Sequence, residues 1–598
     1  MDADHSGSSH HTAPRDGLPE VWGSDVMADM LRALGLPYVC LVPGSSFRGL
    51  HDSVVNYLGN RAPQMLLCLH EEHAVAIAHG WAKVTGRPLG VIVHANVGLM
   101  HATMAIFDAW CDRMPVIVVG ATGPVDATRR RPWVDWIHTA RDQGALVRHY
   151  VKWDDQPASI AAAQESLLRA GQIATTAPYG PVYVCLDAGL QEAKLDAVPR
   201  PPDIERFRSP ASAQAAPELV RRAAEWLRAA AHPVILMGRV SRDEEAWRAR
   251  VALAEQLGAT VLTDLRTGAA FPTDHPLHGA APGLFLSPEA AAELRSADVV
   301  LSLDWVDLAG TLKQASGTAD IAARVIQVSV DQFVHNGWSM DHQGLAPSDL
   351  YLLCQPDTVV AQLLDAVRPP ARRAPTTRAP RASSTSAPPV GGPITLARLA
   401  HALRHAAAAE PVCLLRLPTG WPAGAWHFRH PLDYIGYDGG GGVGSGPGIA
   451  VGAALALKGT GRLPIAILGD GDYLMGLTAL WTAAHSRIPL LVVVANNNSY
   501  LNDELHQERV ARERGRPVEN RWIGQRIADP EPDLALLARG LGVSAIGPVE
   551  QSEALDAALG DAVATVKQGA ACVVDVRVEG SYAWAVSSAL MRGEGATS

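Results

Sequence analysis

Asp470 and Asn497 are the residues whose types and placement most directly suggest chemistry. The segment Ile465-Ala466-Ile467-Leu468-Gly469-Asp470-Gly471-Asp472 reads as an apolar strand ending in a tight acidic turn. Pro489-Leu490-Leu491-Val492-Val493-Val494-Ala495-Asn496-Asn497-Asn498-Ser499 reads as a second apolar strand ending in carboxamides, and a helix-like stretch lies between the two. This is a βαβ unit. Its parallel strands end on one edge of a sheet, where open α/β sheets bind ligands. A carboxylate and a carboxamide oxygen therefore converge. A hard cation such as Mg²⁺ takes a few oxygen ligands from protein and the rest from phosphates and water. Asp470, Asn497 and one nearby backbone carbonyl, for which we take Ser499, would clamp a diphosphate.

Other candidates lie far away in the chain. Leu69-His70-Glu71-Glu72-His73 opens a helix-like stretch that reaches Gly80-Trp81-Ala82, and acidic residues favour a helix N-terminus. His70 and His73 flank two glutamates without forming H-E-x-x-H, and no third ligand can be placed, so zinc is not expected. His94 ends the strand-like run Gly90 to His94, and Pro43-Gly44-Ser45-Ser46 follows the run Tyr38 to Val42. The run Gly439 to Gly442, with Val443, Gly444, Gly446 and Gly448, leads into an alanine-rich helix. Glycines there permit close backbone approach and leave amides for a phosphate.

Taken together, these segments resemble the thiamine-diphosphate (ThDP) enzymes, on the branch of decarboxylases and acetolactate synthases, and in motif the benzoylformate-decarboxylase-like members. The resemblance runs over roughly residues 20–585. It implies ThDP and Mg²⁺ as cofactors, with Gly469, Asp470, Gly471, Asp472, Asn497 and Ser499 at the diphosphate and Asp470, Asn497 and Ser499 on the metal. Glu71 would hydrogen-bond N1′ of the aminopyrimidine and favour its imino tautomer, which takes the thiazolium C2 proton. Val443 would wedge between the two rings. His94 would relay protons, and Ser45, with Ser46 as its rival, would meet the substrate carboxylate. The implied reaction is non-oxidative decarboxylation of a 2-oxo acid. An acetolactate-synthase-like carboligase and a 2-hydroxyacyl-CoA lyase, acting on 2-oxo acid or acyl substrates, are the alternatives. A non-catalytic paralogue would be expected to lack one of Glu71, Asp470 and Asn497, and all are present. One departure stands out. A second histidine expected near Ser302 to Leu308 is missing, which puts benzoylformate itself in doubt. Gly238, Arg239 and Gly310 are compatible with FAD but too generic to support it. The resemblance also implies a homodimer or homotetramer, with the cofactor held between subunits.

The elements that must position these groups follow from pattern and length. A chain of 598 residues exceeds one hydrophobic core. Short β-rich runs alternating with amphipathic stretches imply an α/β protein of three doubly wound parallel-sheet domains. Composition breaks set their limits: a disordered tail 1–19, a pyrimidine-binding domain 20–198, a central domain 212–367, a proline-rich linker 368–393 and a diphosphate-binding domain 394–585. A net charge of −10 speaks against nucleic acid as partner. No run approaches the ~18 apolar residues of a membrane span. The polar start and seven scattered cysteines lead us to expect a cytoplasmic protein.

Overall fold

The computed structural model describes residues 20–197, 199–317, 321–334, 344–368 and 391–580. The expected tail 1–19 and most of the expected linker 368–393 lie outside the described residues. The chain forms two compact units: one holds residues up to Ala211 together with Asp438–Ala453, and the other holds Ser212–Tyr437 and the chain from Ala454 onward.

In the first unit the strands are β1 (Val21–Trp22), β2 (Tyr38–Leu41), β3 (Gln64–Leu67), β4 (Gly90–Val93), β5 (Ile117–Thr122), β6 (Asp154–Asp155), β7 (Val182–Asp187) and β8 (Lys194–Leu195). β1 and β8 form a small antiparallel ribbon. The others form a parallel sheet in the order β3-β2-β4-β5-β7-β6. The strand order reverses between β2 and β4, so the loops leaving these two strands part and open a crevice at their carboxyl ends. β4, β5 and β7 are buried along their whole length, which is why each reads as an unbroken apolar run rather than an alternating one.

Helix α1 (Glu71–Thr85) starts after β3, and α2 (Ala95–Cys111) starts directly after β4. Helix α3 (Ser445–Leu457) crosses α1 at very short range. A Cβ on Gly448 would stand 2.6 Å from that of Ala76, and one on Gly80 or Gly452 would overlap the carbonyl of Ile449 or Ile77. Only glycine lets the two backbones touch, and this contact fixes the helix that begins with Glu71. The glycine run just before α3 packs in the same way. Cβ atoms at Gly439, Gly440 and Gly442 would collide with Asp112, Asp108 and Met104 near the end of α2. These glycines therefore accommodate the chain's own helix, beyond the phosphate role expected of them. Beneath them lies a buried ionic cluster. His79 Nε2 is 2.8 Å from Asp112 Oδ2, Lys83 also bonds that carboxylate, and fully buried Asp438 accepts from the Gly441 N–H at 2.7 Å.

The second unit carries two more parallel sheets. Strands β9 (Pro233–Met237), β10 (Thr260–Thr263), β11 (Val299–Leu303), β12 (Arg324–Val328) and β13 (Leu350–Leu352) lie in the order β10-β9-β11-β12-β13. Strands β14 (Val412–Arg416), β15 (Leu463–Gly469), β16 (Leu490–Asn496), β17 (Ser544–Val549) and β18 (Ala571–Arg577) lie in the order β14-β15-β16-β18-β17. The Arg242 guanidinium ties the two sheets' blocks together, donating to the carbonyls of Pro431, Tyr434 and Ile435 at 3.3, 3.3 and 2.9 Å. Among the described residues, no helix is long and apolar enough to cross a membrane.

Candidate active site

In the second unit, β15 and β16 are hydrogen-bonded neighbours with Gly469 opposite Ala495. Asp470 opens helix α4 (Asp470–Gly476) at the end of β15, and Asn497 follows β16 directly. The backbone N–H groups of Gly471, Asn497 and Ser499 donate to the Asp470 carboxylate at 2.8, 3.2 and 3.1 Å. Burial pushes the Asp470 carboxyl above the usual carboxylate range, while these amides pull it back down. Asn497 Oδ1 accepts from the Ser499 N–H at 3.0 Å. Asn496 is committed elsewhere, donating to Asp575 Oδ1 at 2.9 Å. Open space lies beside Gly469, whereas a Cβ on Gly471 would stand 2.5 Å from the Tyr500 ring. Asp472 pairs with Arg416 of β14 at 3.4 Å. The Ser499 hydroxyl donates to buried Glu504 at 2.8 Å. A buried carboxylate and a carboxamide oxygen on one sheet edge, next to the open space at Gly469, are the ligand types that suit a hard cation and the phosphate oxygens it carries.

In the first unit, Glu71 is the first residue of α1 and 7% exposed. His70 caps this helix, its Nδ1 accepting from the Glu72 N–H at 3.2 Å. Helix α2 cradles the Glu71 carboxylate. A Cβ on Gly98 would be 3.1 Å from Glu71 Oε1, and His101 Nδ1 lies 3.0 Å from Glu71 Oε2. His94, Gly98 and His101 follow one another at helical spacing, so one face of α2 is turned to this acid. His101 is also the third ligand that the sequence could not place, since His70, Glu71 and His101 offer ligand atoms within 4.8 Å of one another. The His70 tautomer that caps α1 keeps its proton on Nε2, so a metal bound there would cost the cap.

His94 sits at the strand-order reversal, immediately after β4. Its Nδ1 is 2.8 Å from the Ser46 hydroxyl, and Gly44 passes so close that any side chain there would strike the imidazole. Burial lowers the His94 pKa, with His138 and Arg131 acting in the same direction and Glu71 opposing them. Of the two serines in this turn, Ser46 is buried against His94. Ser45 is exposed on a groove of about 640 Å³ that Arg48, His51 and Asn56 also line. Val443 is 46% exposed, in the run ahead of α3.

The sequence reading missed Ser46 as the partner of His94, and it missed His101 and His138. His101 left a signal, seven residues after His94 on one helix face. His138 left none, because a long loop separates it from α2. The residues considered for FAD serve internal bonds. Arg239 is bound by Asp304 and Asp331, and the Gly310 N–H donates to Asp307 at 3.0 Å.

Models of the thiamine pyrophosphate enzymes match all three parts of the chain: the N-terminal TPP binding domain at residues 21–146, the central domain at 220–337 and the C-terminal TPP binding domain at 418–576. The chain belongs to this family. It is a ThDP-dependent enzyme by descent, and its three sheets are the α/β domains of the ThDP-binding fold. Benzoylformate decarboxylase of Pseudomonas aeruginosa is 26% identical over 557 residues, covering 90% of this chain and 95% of that protein. The acetolactate synthase isozyme 1 large subunit of Escherichia coli is 25% identical over 492 residues, covering 80% and 82%. Among solved structures, a ThDP-dependent 4-hydroxybenzoylformate decarboxylase of Rhodococcus jostii RHA1 has a TM-score of 0.77 at 24% identity, covering 94% of this chain and 99% of that one.

Proposed function

We propose that this enzyme uses ThDP and Mg²⁺ to remove CO₂ non-oxidatively from a 2-oxo acid and release the aldehyde. The observation that carries this reading is His94, an imidazole bonded to Ser46 at the mouth of the sheet, in the unit that holds Glu71. Turning a 2-oxo acid anion into an aldehyde and CO₂ takes up one proton, which an imidazole can deliver. A carboligase instead lets a second carbonyl carbon take that place. The likeness to benzoylformate decarboxylase points the same way.

The chain's own residues have distinct tasks in this reading. Asp470, Asn497 and the Ser499 carbonyl would hold Mg²⁺ on the diphosphate and Gly469 would leave room for it, while Gly471, packed against Tyr500, would border the site and donates its N–H to Asp470. Asp472, held by Arg416, borders that turn. Glu71, steadied by His101 and the bare backbone of Gly98, would hold the aminopyrimidine at N1′, and Val443 would support the rings. When bound, the cofactor supplies the electron sink for carbon–carbon cleavage. Ser46 orients His94, which gives and takes the proton. Ser45, on the groove, meets the substrate carboxylate.

The test is a panel of aromatic and aliphatic 2-oxo acids with added ThDP and Mg²⁺, with CO₂ and aldehyde both measured. Aldehyde in step with CO₂ is expected. A ligation product in place of aldehyde, or cleavage confined to 2-hydroxyacyl-CoA, overturns the reading. We further propose a homodimer or homotetramer in a reducing cytoplasm. None of the seven cysteines is in a disulfide and six are buried, which supports that compartment; light scattering at working concentration tests the assembly.

A further inference from the structure

A second imidazole stands beside His94. The ring centroids of His94 and His138 are 4.6 Å apart at an interplanar angle of 60°. His138 comes from the loop after β5, just past the short helix Val134–Ile137. That loop is well anchored. Buried Asp135 accepts from the Arg131 backbone N–H and guanidinium, both at 2.7 Å, and the Thr139 hydroxyl donates to the Asp135 carbonyl at 2.7 Å. The Asn96 side chain, on the first turn of α2, donates to the Ile137 carbonyl at 3.3 Å. The clamp delivers the residue after Ile137 to the face of His94.

Packing alone does not account for an imidazole in this place. His138 Nδ1 is buried and has no hydrogen-bond partner among the described residues. A buried polar atom without a partner costs about 1–3 kcal/mol, whereas a phenyl ring would fill the same space without that penalty. What phenyl cannot supply is a titratable charge next to His94.

We infer that His138 is a positioning residue for the acid–base step, holding the His94 ring edge-on and setting the pH range over which His94 carries its proton. The inference rests on the reading of His94 as the proton-handling group. His94 is faced by Ser46 from the turn after β2, by Glu71 from the start of α1, and by Arg131 and His138 from the loop after β5. Burial has the largest effect and favours the neutral ring. Positive charge on His138 and Arg131 adds to it, and Glu71 opposes. Removing the charge of His138 therefore raises the proton affinity of His94.

The decisive variant is His138→Phe, which keeps an aromatic ring and removes the charge, with His138→Gln as a second neutral variant should the phenyl ring disturb folding. Two readouts are taken. In cofactor-free protein, the NMR titration of the His94 imidazole is expected to move to higher pH in either variant. In the loaded enzyme, the alkaline limb of the kcat profile should move the same way. The ratio of kcat at high pH to kcat at low pH then rises roughly twofold or more, with KM little changed. A His94 titration and a kcat limb that both coincide with those of the wild type overturn the inference. The two proposals fail separately: if no 2-oxo acid is turned over, the lyase reading falls, while the cofactor-free titration still decides the role of His138.

Discussion

Glu71 and Asp470 illustrate how residue type follows from task. In the proposed role a carboxylate both holds the pyrimidine nitrogen and favours the imino tautomer, and a carboxylate is among the oxygen ligands a hard cation takes. Exchanging Glu71 for Gln should nearly abolish turnover while leaving cofactor affinity within about tenfold; wild-type turnover in that variant would remove Glu71 from the chemistry. The two serines give a sharper comparison. Ser46→Ala frees the His94 ring and should lower kcat by roughly tenfold with little change in KM, whereas Ser45→Ala should act mainly on KM. Equal effects from both would contradict the separate roles assigned to them. At this scale residue type singled out Glu71, His94, Asp470 and Asn497 in the sequence, and the structure sets Asn497 against Asp470 and His94 against Ser46. The sequence was silent where geometry alone decides. Neighbouring serines differ only in which way the turn points them, and His138 reaches His94 through a loop without periodicity.

Among elements, the crossing of α1 and α3 is packed too closely to accept an added side chain. A valine at Gly452 would drive its side chain into the Ile77 carbonyl, so Gly452→Val should cost about 3 kcal/mol or more, read as a lowered urea midpoint. Gly560, inside the helix Ser552–Lys567, has open space where its Cβ would be. There Gly560→Ala should raise stability by roughly 0.5–1 kcal/mol. Opposite signs at these two helical glycines would show that contact, not helix propensity, governs the crossing; a tolerated valine at 452 would refute it. The buried strands β4, β5, β7, β15 and β16 were legible as apolar runs. β6 and β13 were too short to leave a pattern, and β17, with a glycine and a proline inside it, lacks the apolar continuity of its neighbours. The glycine run before α3 was read for a ligand, and what the structure shows is its close fit against α2.

For the whole molecule, buried histidines predict sensitivity to acid. Burial lowers His73 from 6.5 to about 4, assisted by His70, and burial also lowers His70, His79 and His94. In each the fold favours the neutral ring, so the unfolded chain binds the proton first. The stability these groups contribute is complete above pH 6.5 and is lost as pH falls below it; for His73 the loss runs down to about pH 4 and is on the order of 3 kcal/mol. Burial alone would raise Asp112, but Lys83 and His79 hold it well below the usual carboxylate range, so it stays ionised throughout this window. The melting temperature should be flat near neutrality and fall across that interval, with a shallower fall in His73→Gln; an identical slope would exclude His73 as a cause. The sequence revealed three sheets, but not their distribution over two compact units. Contacts such as that of Arg242 with the carbonyls of residues 431–435 join distant segments and leave no local pattern.

The grip on the cofactor is tested most directly by calorimetric titration of ThDP into the purified protein, with and without Mg²⁺, in the wild type and in Asp470→Ala. Saturable binding that depends on Mg²⁺ is predicted, weakened roughly a hundredfold or more by the substitution. Binding that ignores both Mg²⁺ and the loss of Asp470, or no binding by the intact protein, would contradict it.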